Sequence, residues 1–342
     1  MMDRQELVKK LGLVSLALAD NDLIPILKCF AFTGEDVIAC NDTLGVTTPC
    51  PTEEAFCVHG KTLKELLENS HAETVVFKIE GDDLVVRTGK STFKLPWFPI
   101  EDFLWLVPVD LEPIMELNED LLIGLGQCLS TVSKDYTQLK MMGVRLHQGT
   151  LYSSDGDAFT RYVTDTKVTA KVDRLLPNDF CASLIKITEQ SEASSGEISI
   201  NDEWAAVELD SEFSIYGRLL EIDNPLDHEA LIKRTLKAKP QFTKVPEGLD
   251  HALSRARVVA DPESAKTVFT IKGGRLGLLT TASMGIIKDN LPFNGHSDVQ
   301  ANVSAARIQR CISLCDEMSV AENCCTFRSG SKLFILASNL GE

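Results

Sequence analysis

The sequence predicts an α+β chain built from three copies of one unit, each with two amphipathic helices packed on antiparallel sheets. Three observations lead there. Stretches such as ETVVFKIEGDDLVVRTGKSTFKLPW, residues 73–97, alternate apolar and polar residues between short polar turns, the pattern of a meander with one wet face. Other stretches repeat apolar residues at helical spacing, as Leu7, Leu11, Val14 and Leu18 do. Helix and meander then recur in the same order. The turn residues Gly34, Gly81, Gly149, Asn201, Gly274 and Gly330 stand 47, 68, 52, 73 and 56 residues apart. Short and long intervals alternate, so the unit is a pair of half-repeats of about 115–125 residues, too long for a solenoid. Junctions fall in irregular, Pro-rich segments near 106–113 and 234–248, which gives units 1–112, 113–236 and 237–342.

Each element follows from its residues. The first helix spans 3–20, with Asp3 as N-cap and Glu6 three residues on, as in a capping box. A hairpin follows, turning at TGED, then a short strand in AFCVHG and a second helix in KTLKELLENS, 61–70. In the second unit NEDLLIGLGQCLSTVSKD, 118–135, reads as a helix with Leu121, Leu122, Leu125 and Leu129 inward. A hairpin turns at His147–Gly149, a helix covers 178–191, and a meander covers 196–217. In the third, helix 246–260 precedes a hairpin turning at Gly273–Gly274. Helix 304–319, carrying both Cys311 and Cys315, precedes the last strand pair. One amphipathic helix and one half-apolar sheet per half-repeat pack most economically with both helices of a unit on one side.

Composition narrows the function. At 342 residues the chain buries a sizeable core without staples, and 44% hydrophobic with 25% charged residues is ordinary for a soluble protein. The N-terminus MMDRQELVKK has acids and no apolar core region, so no signal peptide is expected, and no apolar run reaches the length of a membrane span. The ten cysteines form no Cys-x-x-Cys pair, which points to buried thiols of a cytoplasmic protein and no metal site. A net charge of −16 argues against nucleic-acid binding when taken alone, but it does not say where the charges lie. The six histidines are scattered, and no nucleophile–base arrangement can be built, so no catalysis and no cofactor are expected. Ala55–Thr62, AFCVHGKT, fits a loose phosphate-loop pattern. However, Phe56, Cys57 and Val58 read as strand where a flexible loop is needed.

DLIPILKCFAF (22–32), FCVHGKTLKELL (56–67), VVFKIEGDDLVVRTGKSTFKLPWFPIEDF (75–103), MMGVRL (141–146), IDNPLDH (222–228) and NVSAARIQRCISL (302–314) occur in this order along essentially the whole chain. By them the chain resembles the bacterial DNA polymerase III beta subunits, the sliding clamps, as a divergent or phage-type member. The resemblance implies a head-to-tail homodimer whose six domains close a ring around double-stranded DNA, helices inside and strands outside. Such a ring tethers the replicative polymerase as a processivity factor. It would reconcile a net acidic chain with DNA, because only the lining need be basic. The helices supply Lys9, Lys10, Lys61, Lys64, Lys134, Lys186, Arg255, Arg257, Arg307 and Arg310, while Glu35, Asp36, Glu80, Asp82, Asp83, Glu197, Asp202, Glu203, Glu208, Asp210 and Glu212 fall in turns and strands. Many clamps place an arginine before the Pro-x-leucine turn of the first domain; here that place reads ADNDLIP, with Asn21 between acids.

Sliding clamps also dock short apolar peptides of the polymerase and clamp loader between their second and third domains. Carried over, that groove involves Met141, Phe159, Thr160, Arg161, Pro225, Leu226, Asn302, Ile335, Leu336 and Leu340. The family's Thr-Asp-Gly-His-Arg-Leu stretch is met by Gly156, Asp157, Ala158, Phe159, Thr160 and Arg161, with only the aspartate kept. The tail ASNLGE lacks the family's Met-Pro pair. Two other readings remain: a clamp-like decoy that binds clamp partners without encircling DNA, and a nucleotide-dependent enzyme using the Ala55–Thr62 loop.

Overall fold

The computed structural model describes residues 2–20, 24–105, 107–135, 137–169, 171–191, 193, 195–210, 212–221, 225–236, 240–259, 266–295, 298–322 and 324–337. Among these, helices α1 (Arg4–Val14), α2 (Gly60–Glu68), α3 (Glu119–Leu129), α4 (Asn178–Ser191), α5 (His228–Thr235), α6 (Leu249–Val259) and α7 (Ala305–Ile312) are interleaved with 24 strands. Eight strands lie between Met2 and Phe98, eight between Glu112 and Arg218, and eight between Thr243 and Ala337. In every set of eight, one helix follows the first strand and another follows the fifth. Helix α5 alone stands outside this pattern, after the eighth strand of the second set.

Local chemistry explains most element ends. The Asp3 side chain accepts from the Glu6 amide at 2.8 Å and starts α1. His59 caps α2 through Nδ1, which accepts from the Thr62 amide at 3.3 Å, so Ala55–Thr62 is a strand (Phe56–His59) running straight into a helix. Five of the six repeat turns are glycines at positive φ, between 53° and 102°. At the sixth, the Asn201 side chain accepts from the Glu203 and Trp204 amides at 2.9 and 2.7 Å instead. Three helices end well before the sequence predicts. Helix α1, expected to run to residue 20, stops at Val14, where the Ser15 hydroxyl donates back to the Gly12 carbonyl and a short helical turn, Ser15–Ala17, follows. Helix α3 stops at Leu129, where the Ser130 and Thr131 hydroxyls turn back onto the Gln127 and Cys128 carbonyls. Helix α7 stops at Ile312, so Cys315 lies beyond it, and Glu317–Ala321 is a strand.

The chain divides into two compact units, residues 1–126 with 166–221 and residues 127–165 with 222–342. The first holds a continuous sheet of twelve strands whose order runs from Met2–Asp3 to Glu112–Leu117. Within it the fourth strand of the first set, Leu44–Pro49, joins the eighth of the second, Phe213–Arg218, antiparallel with Leu44 opposite Gly217. Helices α1 and α2 pack on each other and on the first-set strands. Trp105 lies over the joint, edge-on to Trp204 at 5.4 Å and to Tyr216 at 6.0 Å.

Phe180 of α4 lies so close over Gly217 that a Cβ there would stand 2.5 Å from its ring. Gly217→Ala is therefore expected to destabilise by about 1–3 kcal/mol through overpacking. Thermal unfolding reads this directly, and an unchanged Tm would show that Phe180 yields.

The second unit contains strands in the order Gly143–His147, Thr150–Ser154, Ala158–Val163, Lys332–Ala337, Cys324–Ser329, Glu317–Ala321, Thr243–Lys244. Again a fourth strand, Ala158–Val163, meets an eighth, Lys332–Ala337, antiparallel. A four-stranded sheet in the order Gly285–Pro292, Arg275–Ala282, Lys266–Lys272, Val299–Ser304 carries α6 and α7, packed on each other. The apolar layer between them includes Leu253, Ala256, Phe269, Ile308 and Phe327, all 1% exposed or less. Among the described residues no helix is long and apolar enough to cross a membrane.

Candidate nucleic-acid and partner surfaces

The ten basic residues separate into free and engaged ones. On α1 and α2, Lys9 and Lys61 are exposed. Lys10 instead pairs with Glu6 and donates to the Pro49 carbonyl, both at 3.0 Å. Lys64 donates to Ser15 at 3.5 Å and lies 3.8 Å from Glu68. Lys186 is exposed on α4. Lys134, expected on a helix, lies in the segment after α3 because that helix ends early. Arg255 of α6 grips Asp289 with two hydrogen bonds, the shorter 2.7 Å, which holds its guanidinium more firmly in the charged form. Arg257 donates to Gln309 of α7 at 2.7 Å, and Gln309 in turn donates to Asp250 and Ser254 of α6. Arg307 is held by Asp155 at 2.8 Å, while Arg310 is exposed on α7. Among the described residues, no carboxylate or side-chain amide holds Lys9, Lys61, Lys134, Lys186 or Arg310. Asn21 lies outside the described residues.

Of the acids named from the sequence, Asp36, Glu80, Asp83, Glu197 and Glu208 lie on strands, and Glu35, Asp82, Asp202, Glu203, Asp210 and Glu212 lie in the turns between strands. Glu116, Glu197 and Glu208 are exposed and stand directly opposite one another across three neighbouring strands. Like charges in that register repel.

The strand edges bear on partners. Among the described residues Gly285–Pro292 pairs on one side only. Among the described residues the eighth strand of the first set, Ser91–Phe98, meets Phe56–His59 only at Trp97 and Phe98, and the outer edge of 91–96 has no strand partner. Beside the first of these edges Ile286 and Met284 are 62% and 80% exposed, and at the end of α6 so is Val258 at 80%.

The predicted groove is differently organised from the expectation. Phe159 and Ile335 do share one face, but they are closed in a cluster with Tyr152, Ile232, Cys324 and Leu333. Strand alternation turns Thr160 and Leu336 to the opposite face. Thr160 accepts or donates at 2.7 Å with Thr131, which also bonds Ser153, and Leu336 joins the core under α6 and α7. Arg161 lies 3.4 Å from Glu229, and the Leu226 carbonyl accepts from Arg145 at 2.6 Å. Pro225 is exposed, and Met141 is half-buried at the end of a short helical turn. Asn302 stands on Val299–Ser304, opposite Val268. Leu340 lies outside the described residues.

What the sequence reading missed is α5: it assigned no element to residues 228–233, and its irregular junction near 234–248 begins inside the last turn of the helix. The signals were present: Asp227, which accepts from the Ala230 amide at 2.9 Å, and Lys233 and Arg234 in the last turn. Its His228 ring stacks on Tyr152 at 5.1 Å with planes 2° apart, and lies 5.5 Å from Phe159. Tyr152 donates to Glu229 at 2.7 Å; burial first, then that carboxylate, pushes its phenol up to about 12.

The ten cysteines are free and buried, and burial pushes thiols such as Cys57 up to about 12. Among the described residues no group of three His, Cys, Asp or Glu is placed to hold a metal ion.

No family model matches the chain, and no curated protein does. Solved structures do. A putative DNA polymerase III beta subunit from Eubacterium rectale superposes with a TM-score of 0.86 at 16% identity, over 99% of this chain and 98% of that one. The beta subunit from Thermotoga maritima gives 0.85 at 18%, over 100% and 99%. The DNA polymerase sliding clamp from Bacillus subtilis gives 0.85 at 14%, over 100% and 98%. At such identities these likenesses show the fold: it is that of the bacterial sliding clamps, over nearly the full length.

Proposed function

We propose that this chain, with the fold of a DNA polymerase III beta subunit, is a sliding clamp: a homodimeric, non-catalytic ring around duplex DNA that tethers a polymerase. One observation carries the reading. Twice within the chain the fourth strand of one eight-strand set pairs antiparallel with the eighth strand of another. The fourth strand of the third set, Gly285–Pro292, has an open edge, and so does the eighth of the first, Ser91–Phe98, along 91–96. The same pairing, made with a second copy, uses both edges and covers strand groups that otherwise invite aggregation. It is a heterologous, head-to-tail contact, which must close into a ring or grow into a filament. The three sets are then three domains, 1–112, 113–236 and 237–342. Two copies make the six-domain ring that the sequence resemblance implies.

Lys9, Lys61, Lys134, Lys186 and Arg310 are the residues proposed to face the phosphates, with contacts independent of sequence. Topology holds the DNA, so the affinity of each contact can be low. Clients and the loader dock at the face carrying Phe159 and Ile335.

The test is the mass in solution by light scattering across a dilution series. A stable species near twice the 37.6 kDa chain is expected, retained on circular DNA and lost from linear DNA. A monomer at every concentration would overturn the self-sufficient ring and favour the decoy.

A further inference from the structure

We propose that two copies join in the register shared by the two internal joints, which sets Lys288 of one copy directly opposite Lys94 of the other and holds the seam of the ring weaker than its other joints. This rests on the dimer reading above and concerns how firmly that dimer closes.

The repeat fixes the count. In each set the third strand starts just after a two-residue turn, at Asp36, Thr150 and Arg275, and these residues stand opposite Pro49, Val163 and Pro292 of the fourth strand. The seventh strand starts likewise at Asp83, Trp204 and Cys324, opposite Pro96, Arg218 and Ala337 of the eighth. Counted from those residues, the two internal joints are the same. Gly45, four before Pro49, stands opposite Tyr216, two before Arg218. Phe159, four before Val163, stands opposite Ile335, two before Ala337. Four before Pro292 is Lys288, and two before Pro96 is Lys94. The same count sets Ile287 opposite Leu95, Asp289 opposite Phe93 and Asn290 opposite Thr92.

The faces agree with this register. Asp289 is turned to α6, where Arg255 already meets its charge. Leu95 is buried and Phe93 half-buried, so this side continues the apolar layer under the helices. Lys288 and Lys94 alternate with these residues along their strands, point the other way and are both exposed. A slip of one residue would set Leu95 against Lys288, apolar against charged.

In the internal joints the outward position is apolar and covered. Trp105 is pressed over Gly45 beside Tyr216, and Phe159 and Ile335 are closed in one cluster. At the seam it carries two like charges, and like charges directly opposite destabilise a strand pair. Little offsets them. Asp83 lies 3.4 Å from Lys94, but their side chains are 43% and 65% exposed, and Glu80 is engaged by Lys78 and Arg87. On the other strand Asn290 accepts from Arg275, a further cation. Ile286 falls opposite Pro96, with Asp83 next in that row. A closed ring must open to take in a circular duplex, and the joint between copies is the one that no chain continuity holds.

The experiment uses the full chain. A short amine-to-amine cross-linker followed by peptide mass spectrometry should join Lys288 to Lys94 between copies. Sedimentation across a dilution series gives the Kd of association. Lys288→Glu should lower it about tenfold, because repulsion becomes attraction at both seams of the ring. It does so although it makes an acidic chain more acidic. Adding Lys94→Glu to Lys288→Glu should return the Kd to its starting value or above, which ties the gain to the pair and not to net charge. A dimer that forms without this cross-link, or whose Kd Lys288→Glu does not lower, would overturn the register and keep the ring. A chain that stays monomeric in unmodified and Lys288→Glu forms alike would overturn the ring as well.

Discussion

Ile286→Glu is expected to leave a folded monomer. Ile286 is 62% exposed, so the change leaves the core untouched and Tm should stay within a degree or two. In the proposed dimer the same side chain sits beside the edge that Gly285–Pro292 offers to Ser91–Phe98 of a second copy, together with Met284 and Val258. A carboxylate there loses its water without gaining a partner. A penalty of about 3 kcal/mol corresponds to more than a hundredfold weaker association. Val258→Glu, on α6 rather than on the strand, should act in the same direction. Light scattering reads the mass, and retention on circular DNA should fall with it. A dimer that survives both changes would show that the open edge is not where copies meet.

The triple change Lys9→Glu, Lys61→Glu, Lys186→Glu should abolish salt-sensitive DNA binding and leave the dimer intact. These cations lie on α1, α2 and α4, are exposed, and are held by no carboxylate, so reversing them costs the fold little. Every phosphate that a lysine no longer neutralises lowers the slope of log K against log salt by about 0.9. Removing three lysines from each of two copies should flatten the plot. Arg307→Glu is the informative control: Arg307 already grips Asp155, so the slope should hold while Tm drops. An unchanged slope in the triple variant would place the DNA elsewhere.

The repeat was the most legible feature of the sequence because it depends on turn chemistry. Positive-φ positions admit few residues, so Gly34, Gly81, Gly149, Gly274 and Gly330 mark strand ends almost regardless of what surrounds them. Helix ends were less legible. Ser130 and Thr131 look compatible with a continuing helix, and only their hydroxyls turning back on α3 end it, which displaced Lys134 from a helix to a coil. The basic set was legible as composition but not as availability. Nothing in the local sequence says that Asp289 and Asp155 will come to Arg255 and Arg307 from 34 and 152 residues away. The groove was the least legible. Ile335 and Leu336 look like a pair in the sequence, although adjacent strand residues face opposite ways. The helix that covers the face, His228–Thr235, is only eight residues long and runs into the stretch at 234–248 that reads as a linker.

The row of Glu116, Glu197 and Glu208 gives ionic strength two opposed roles in this molecule. Added salt screens the repulsion along that row and so favours the folded sheet, while it loosens whatever the helix lysines hold. The protein should be at its most robust in a brine that strips it from a linear duplex. If two copies close the proposed ring, the same brine should leave it threaded on a closed circle, since a ring needs no affinity to stay on a loop. Persistence on DNA and attraction to DNA would then be separate properties, one set by strand edges and the other by five free cations.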